Sequence, residues 1–149
     1  MQVKKIAIGC DHSALSMKET VKKYIADKGI EVTDVGTYTA ESCDYPDYAV
    51  PVCKNVVSGV SELGILICGT GIGMCIAANK VHGIRAAHCS DAYSAHFTRL
   101  HNDANVLCFG ARVIGEGIAL DIVEQFITTD YEGGRHKRRV DKITEIENG

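Results

Sequence analysis

Several features that mark membrane-bound, secreted and nucleic-acid-binding proteins are missing from this sequence of 149 residues. No apolar run approaches the ~18 residues that a bilayer-spanning helix needs, and no basic segment followed by an apolar one opens the chain. An excess of positive charge is missing as well, because the net charge is -3 and the pI is near 6.0. Nucleic acids and anionic membranes select for basic partners. We therefore expect a cytoplasmic protein that binds neither nucleic acid nor membrane.

Cysteine is present but lacks the pairing and spacing of a structural site. The seven cysteines are an odd number, and no two have CxxC spacing. A disulfide framework and a zinc site are therefore both disfavoured, and we predict no bound metal. Several cysteines lie in apolar, strand-like contexts, which indicates small buried side chains in a reducing compartment. The seven are Cys10, Cys43, Cys53, Cys68, Cys75, Cys89 and Cys108.

Nucleotide-binding signatures are also absent. A dinucleotide site would place GxGxxG after the first strand, where only Gly9 is found, so NAD binding is disfavoured. The glycine-rich segment 69–73 lacks the Gly-Lys-Ser/Thr ending of a nucleotide P-loop. Three glycines at a helix entry still let backbone N–H groups approach an oxyanion closely, so a small anion fits better than ATP. Tight packing of the helix on the strand is an equal explanation of these glycines.

Short apolar runs alternate with helix-period segments along most of the chain. The run 63–67 is nearly all apolar, as expected for a central strand that is covered on both faces. This alternation predicts an α/β protein with a three-layer, Rossmann-like, doubly wound parallel sheet of five strands. Ligands should bind at the carboxyl ends of the strands. The predicted strands span 5–9, 31–35, 63–67, 84–87 and 105–109, and the predicted helices span 13–28, 48–58, 71–79, 91–100 and 117–128.

The pattern changes after residue 130, where two glycines lead into a basic cluster and a charged amphipathic tail. We treat residues 1–149 as one domain, with an α/β core over 1–130 and a C-terminal helical arm over 131–149. The arm is either a solvated terminal helix or a segment that lies on another subunit at a dimer interface. Its cluster includes Arg135 and Arg139, whose forked guanidinium groups suit bidentate phosphate contacts.

Three predicted strand ends direct the segments 10–12, 68–73 and 110–112 to one crevice. Cys68 closes an apolar strand before a helix N-terminus, where the helix dipole and free N–H groups favour a thiolate that can act as a base. A buried structural cysteine is the alternative. Asp11 and His12 follow the first strand, where they can bind phosphate or move hydroxyl protons, or simply cap the next helix. His101 closes a later helix, and capping alone would account for it.

These segments closely resemble the B-type ribose-5-phosphate isomerases, within the family that also includes the galactose-6-phosphate isomerase subunits. The resemblance covers nearly the whole chain. It implies interconversion of D-ribose 5-phosphate and D-ribulose 5-phosphate without a metal or organic cofactor, in a homodimer or homotetramer with active sites between subunits. The segments that carry it are Gly9-Cys10-Asp11-His12, Asp44-Tyr45-Pro46, Cys68-Gly69-Thr70-Gly71-Ile72-Gly73 with Ala77-Ala78-Asn79-Lys80, Gly83-Ile84-Arg85-Ala86, His101-Asn102-Asp103-Ala104-Asn105-Val106-Leu107 and Glu132-Gly133-Gly134-Arg135-His136.

The resemblance also implies a role for each matching position. Cys68 would shuttle a proton between C1 and C2, His101 would open the furanose ring, and Asp11 would assist at the sugar hydroxyls. Thr70 and the backbone of 69–73 would stabilise the enediolate, whose charge develops only along the reaction path. Four of the implied substrate contacts, at His12, Arg112, Arg135 and Arg139, resemble phosphate contacts. The full implied set is Asp11, His12, Tyr45, Gly69, Thr70, Gly71, Ile72, Gly73, Asn102, Arg112, Arg135 and Arg139.

Another branch of the family carries a hydroxyl residue in place of the cysteine and an acidic base at the position of Ile72. An apolar Ile72 near Cys68 supports a thiolate base instead. One chain carries both Cys68 and His101, which favours a self-sufficient enzyme over the mixed complexes of galactose-6-phosphate isomerase subunits. A six-carbon substrate, allose 6-phosphate or galactose 6-phosphate, is the alternative within this chemistry. A sugar-phosphate sensor and a thiol redox protein are the alternatives outside it.

Overall fold

The computed structural model describes residues 2–149, and in this range strands and helices alternate up to the last helix. The prediction of five successive strand–helix units is confirmed. The strands are β1 (Lys5–Cys10), β2 (Glu31–Asp34), β3 (Leu63–Cys68), β4 (Ala86–His88) and β5 (Val106–Gly110), and the helices are α1 (Leu15–Asp27), α2 (Pro46–Val57), α3 (Ile72–Ala78), α4 (Ala92–Asn102), α5 (Glu116–Thr128) and α6 (Arg135–Glu147).

The five strands form one parallel sheet in the order β2-β1-β3-β5-β4. The chain leaves β1 for β2 on one side and returns to place β3 on the other, which makes the sheet doubly wound. Cys10 pairs with Ile67 and Cys68 pairs with Gly110, so the carboxyl ends of β1, β3 and β5 lie side by side. This edge is where a doubly wound sheet opens a crevice for a ligand.

Helices cover both faces of the sheet, as the apolar strand runs predicted. Successive strand residues point to opposite faces, and each face packs against its own helices. The helices α1, α4 and α5 bury side chains against one face, and α2 and α3 bury side chains against the other. In β3, Ile65 and Ile67 belong to the first apolar cluster, and Leu66 and Cys68 belong to the second. The two clusters give the predicted three layers.

The fourth strand begins two residues later and ends one residue later than its predicted range of 84–87. The Ile84 N–H donates to the Val81 carbonyl in a turn, and the Arg85 N–H donates to Oδ1 of Asn105. Regular pairing with β5 therefore begins only at Ala86. The displacement makes His88 the last residue of β4, at the carboxyl edge of the sheet.

A buried lysine ties the segment after β2 to the rest of the core. Lys18 is 1% exposed, and its Nζ donates to Asp34 Oδ1 at 2.9 Å and to the Thr37 carbonyl at 2.6 Å. Lys22 Nζ donates to the other Asp34 oxygen at 2.8 Å. Burial by itself would raise the pKa of Asp34, but the hydrogen bonds from Lys22 and Lys18 outweigh it and hold that pKa below its ordinary value. The Thr37 N–H donates to the Cys10 carbonyl, so this network also supports the end of β1.

The C-terminal arm forms α6, which packs on its own chain. His136 and Val140 are buried, and the Gly83 N–H donates to the carboxylate of Glu147 at 3.1 Å. The opposite side of the helix faces solvent, and Ile146 is 80% exposed. The arm therefore spans its own chain from α4 to the turn before β4, and its contact with a second subunit stays a prediction.

Candidate active site

Cys68 is the last residue of β3, at the carboxyl edge of the sheet. Its side chain is 5% exposed, and its Sγ accepts a hydrogen bond from the Gly71 N–H at 3.1 Å. An N–H donor at this distance interacts more strongly with a thiolate than with a neutral thiol. The sulfur of Cys68 therefore lies where the loop can stabilise a negative charge.

Close packing requires two of the three loop glycines. Gly71 has a φ of 82°, and a Cβ there would lie 2.5 Å from the carbonyl carbon of Phe109. A Cβ on Gly73 would lie 2.7 Å from Cζ of Tyr45, whose ring covers the loop. At Gly69 the nearest neighbours of a Cβ would be 3.6 Å away, an ordinary van der Waals contact. Packing thus explains Gly71 and Gly73, whereas a Cβ would fit at Gly69 without displacing a neighbour.

The outer side of the loop is formed by Thr70 and Ile72, which are both exposed. Thr70 Oγ1 accepts a hydrogen bond from the Ile72 N–H at 3.2 Å, which fixes the threonine hydroxyl at the rim. Arg112 follows β5, and its N–H donates to the Gly69 carbonyl at 3.1 Å. Nη1 of Arg112 would lie 3.7 Å from a Cβ on Gly69, so the guanidinium lies beside the loop, as the convergence of strand ends predicted.

Asp11 and His12 lie at the same edge, directly after β1. Asp11 is 8% exposed, and its Oδ1 accepts from the Ser13 N–H at 2.9 Å. The first helix begins only at Leu15, and its cap residue Ala14 receives no side-chain hydrogen bond, so Asp11 does not cap it. The Cys43 N–H donates to Nδ1 of His12 at 3.2 Å, which places the proton of the neutral ring on Nε2. His12 can therefore donate from Nε2 to an anion.

These contacts bring ten of the predicted site residues to one edge of the sheet, and we call them the carboxyl-edge group. The group combines a thiol, a carboxylate, a phenol, two cationic or proton-carrying side chains and a glycine loop. Its members are Asp11, His12, Tyr45, Cys68, Gly69, Thr70, Gly71, Ile72, Gly73 and Arg112.

The four remaining predicted residues, His101, Asn102, Arg135 and Arg139, lie at the opposite edge, and we call them the amino-edge group. Asn102 ends α4, and the chain then enters β5 at its amino end. There the Gly64 N–H donates to the Asn105 carbonyl. Gly64 precedes Cys68 by four strand residues, which is about 13 Å along the strand. One chain therefore does not bring Cys68 and His101 together.

His101 belongs to a cluster with Glu132 and His136. The two imidazole rings stack with centroids 4.0 Å apart and an interplanar angle of 14°. Glu132 Oε2 lies 3.7 Å from Nε2 of His101 and 3.3 Å from Nε2 of His136. Burial, and then the positive charges of His101 and Arg135, lower the pKa of His136. A positive charge on His136 is therefore disfavoured, and the Glu132 carboxylate lies beside both rings.

The same three side chains are the group within residues 2–149 whose ligand atoms could surround a metal ion, since these atoms lie within 4.8 Å of one another. A zinc ion would need to lie about 2.1 Å from each imidazole nitrogen and in the plane of each ring. Two nearly parallel rings stacked 4.0 Å apart do not direct their lone pairs at one point. The ring geometry therefore does not fit a metal ion shared by the two histidines.

Arg135 and Arg139 lie one turn apart on α6, and both are exposed. Val140 and His136 anchor the helix on α4, so the two guanidinium groups project from a fixed surface. Side chains four positions apart on a helix are neighbours, which allows both to contact one phosphate. The predicted phosphate contacts are thereby divided, with these two at the amino edge and His12 and Arg112 at the carboxyl edge.

Sequence reasoning missed His88, which contacts the glycine loop. His88 Nε2 lies 2.8 Å from the Thr70 carbonyl. Its position after an apolar strand was an available signal, but the predicted strand ended one residue too early.

Cys75 was also missed by sequence reasoning. A hydrogen bond with Cys108, and further the charge of His88, lower the pKa of Cys75 to about 7 against the opposing effect of burial.

Comparisons with known proteins agree with this architecture. The sequence pattern of the Ribose/Galactose Isomerase family matches residues 6–143. Ribose-5-phosphate isomerase B of Escherichia coli (strain K12) is 51% identical over 145 residues, which cover 97% of each chain. D-erythrulose-4-phosphate isomerase of Pectobacterium atrosepticum is 47% identical over 139 residues, covering 93% of this chain and 91% of the relative. The solved structure of ribose-5-phosphate isomerase B from Clostridium thermocellum superimposes with a TM-score of 0.95 at 50% identity, covering 97% of both chains.

None of the helices within residues 2–149 has both the length and the apolar character that crossing a bilayer requires. The family match extends from the first strand into the last helix, and it includes the glycine loop and the basic first turns of α6. The chain therefore belongs to the ribose/galactose isomerase family.

Proposed function

We propose that this chain interconverts D-ribose 5-phosphate and D-ribulose 5-phosphate, with Cys68 as the base. In the open aldose, the thiolate takes the proton from C2, the C–H electron pair forms the C1=C2 bond, and the carbonyl pair moves to O1. Cys68 then returns the proton to C1. A proton moves from O2 to O1, which leaves the ketone at C2. The position of Cys68 Sγ at the end of β3, next to the Gly71 N–H, carries this proposal.

The carboxyl-edge group supplies the remaining requirements of the proton transfer. Asp11 is held by Ser13 through one oxygen, and the other oxygen can relay the proton between O2 and O1. The backbone of the half-buried Gly69 and the hydroxyl of the exposed Thr70 can approach the enediolate oxygens. Such contacts accelerate the reaction because the charge on these oxygens develops only along the reaction path.

The amino-edge group completes the site from a second copy of the chain. Ring opening by His101, orientation by Asn102 and phosphate binding by Arg135 and Arg139 all require contact with the same small substrate. Proton transfer requires heavy atoms about 3 Å apart, whereas Cys68 is about 13 Å from the amino edge of its own sheet. A two-fold dimer places the carboxyl edge of one copy against the amino edge of the other and forms two such sites.

An aromatic stripe on α4 supports this assembly. Tyr93, Phe97 and His101 lie one turn apart, with ring centroids 4.5 Å apart for the first pair and 5.0 Å apart for the second. Tyr93 is 73% exposed, and a groove of about 330 Å³ lies between the stripe and His88. The stripe runs from the carboxyl edge to the amino edge, so a second copy docked on it would cover apolar surface at both.

The seven free thiols suit a reducing compartment, which is the cytoplasm in this proposal.

A direct assay tests the reaction. The purified chain is offered ribose 5-phosphate, allose 6-phosphate and galactose 6-phosphate in the presence of a metal chelator, with ketose formation as the readout. We expect turnover of ribose 5-phosphate without any added cofactor. Faster turnover of a six-carbon substrate would reassign the substrate but keep the mechanism. Failure of all three would refute the isomerase assignment.

Substitution of the base separates an enzyme from a sugar-phosphate sensor. Cys68→Ala should lower kcat about 10²–10⁴-fold, because it removes the group that transfers the proton. Binding of 5-phosphoribonate, a substrate analogue that cannot isomerise, should change little. Cys75→Ala is the matched control, since it removes another thiol near the loop and should keep full turnover. Normal turnover by Cys68→Ala would exclude the thiolate base.

A further inference from the structure

His88 reaches the glycine loop from the edge strand β4. Its Nε2 lies 2.8 Å from the Thr70 carbonyl oxygen, which can only accept a hydrogen bond. The proton on the imidazole must therefore be on Nε2, and His88 is the donor. The histidine is exposed, so no burial requirement explains this contact.

The same peptide unit faces Cys68 with its other end. The Thr70 carbonyl accepts from His88, and the N–H of that peptide, on Gly71, donates to Cys68 Sγ at 3.1 Å. A carbonyl that accepts a hydrogen bond polarises its peptide and makes the N–H a stronger donor. His88, the Thr70–Gly71 peptide and Cys68 thus form one hydrogen-bonded chain.

The Thr70–Gly71 peptide could also adopt the reverse orientation, and the hydrogen bond from His88 opposes that rotation. Glycine tolerates both signs of φ, so the peptide before Gly71 can rotate with little steric cost at the glycine itself. Rotation by half a turn would direct the Thr70 carbonyl at Cys68 and remove the N–H from it. A carbonyl oxygen beside the sulfur would destabilise a thiolate.

We propose that His88 is a positioning residue for the isomerisation, because its Nε2–H holds the Thr70–Gly71 peptide with the Gly71 N–H directed at Cys68. The inference rests on the proposed function of Cys68 as the base. The titratable groups that face His88 are Cys75 from α3, Tyr93 and His101 from α4, and Cys89, which directly follows β4. None of them donates a hydrogen bond to the Thr70 carbonyl.

The test compares His88→Val, which removes the donor, with His88→Gln, which keeps an N–H donor. His82→Val removes another exposed histidine, in the turn before β4, and is the matched control. Two quantities are measured from about pH 6 to about pH 10, a range that spans thiol ionisation. They are kcat/KM for ribose 5-phosphate and the rate at which iodoacetamide alkylates Cys68, identified by peptide mass spectrometry.

We expect His88→Val to lower kcat/KM at neutral pH roughly three- to ten-fold, the usual effect of one lost hydrogen bond, with little change in KM. The ascending limb of both pH profiles should move upward by about half to one pH unit. His88→Gln should restore most of the wild-type profile, and His82→Val should match the wild type.

The proposal would be overturned if the ascending limbs of the pH profiles fell at the same pH in His88→Val and in the wild type, even if kcat/KM were lower in the variant. A merely structural role would lower kcat/KM without changing the pH at which it rises. An equal shift in His82→Val would overturn it too. If the valine variant fails to fold, His88→Asn serves instead, since its shorter amide does not span the distance to Thr70. The pH dependence of Cys68 alkylation reports whether the Gly71 N–H stabilises the thiolate, and it requires no turnover. A failed isomerase assay would therefore count against the proposed function and not against the positioning role of His88.

Discussion

Two inactive variants of this chain should complement each other within one dimer. The perturbation is a heterodimer of Cys68→Ala and His101→Ala chains, co-expressed with two different affinity tags and purified over both. Each substitution removes a group that contributes about 10²–10⁴-fold through proton transfer, so each homodimer should keep ~1% of wild-type activity or less. In the heterodimer, one site receives the intact Cys68 of one copy and the intact His101 of the other.

The expected magnitude follows from the geometry and from the number of sites. Within one chain, about 13 Å of strand separates Cys68 from the amino edge of the sheet, and His101 turns its ring towards Glu132 and His136. Proton transfer needs a separation of about 3 Å, so the pair cannot act within a chain. One of the two sites in the heterodimer is intact, and kcat per dimer should be about half that of the wild type. The assay is initial-rate isomerisation of ribose 5-phosphate by the doubly purified protein.

The control places both substitutions in one chain and pairs that chain with a wild-type copy. Shared sites predict that this heterodimer is inactive, because each of its sites then contains one substituted half. A site within a single chain predicts the reverse, with about half activity in the control and none in the first heterodimer. The reversed pattern would refute the division of the site between copies.

Three further predictions concern Gly71 in the loop, the buried ion pair of Lys18 and Asp34, and the thiol of Cys75. Gly71→Ala should lower kcat more than 10-fold and reduce the melting temperature, because the left-handed φ and the backbone contact at 2.5 Å leave no room for a Cβ; normal values of both would contradict this packing. Asp34→Asn should lower the free energy of unfolding at pH 7 by about 3 kcal/mol, since Lys18 loses its buried counter-charge. The folded pKa of Asp34 is below its unfolded value, so the stabilisation by the Asp34 carboxylate is complete above about pH 4 and is lost as the pH falls further. The difference in free energy of unfolding between the wild type and Asp34→Asn, measured by urea unfolding, should therefore be smaller at about pH 3 than at about pH 7. Cys75, with a pKa of about 7, should be alkylated at nearly constant rate above that pH and more slowly below it, and a rate still rising at pH 9 would contradict the assignment.

The fold was predictable because its signals are local. The apolar run of β3, the helix-period segments and the glycines at helix entries each lie within a few consecutive residues, and they place five strand–helix units in order. The fourth strand was misplaced for the same reason, since Asn105, twenty residues away, engages Arg85 and delays the pairing. A contact between distant residues leaves no mark in a local pattern.

In the candidate site, too, local features were predictable from the sequence and contacts between distant residues were not. Sequence alone identified the thiol, the glycine loop and the basic helix, because their residue types and spacing suit anion binding and proton transfer. It could not distinguish Gly69, where a Cβ would fit, from Gly71 and Gly73, where a Cβ would collide with Phe109 and Tyr45. That distinction depends on which surfaces meet.

The amino-acid sequence by itself determined the order of the elements, the family and the chemical character of the site at Cys68. Only the tertiary structure decided that His101 lies at the opposite edge of the sheet, that its ring stacks on His136 beside Glu132, and that His88 Nε2 lies 2.8 Å from the Thr70 carbonyl. The physical reason is strand direction. In a parallel sheet every helix returns the chain to the amino edge, so residues that end a strand and residues that end a helix lie at opposite edges of the same chain.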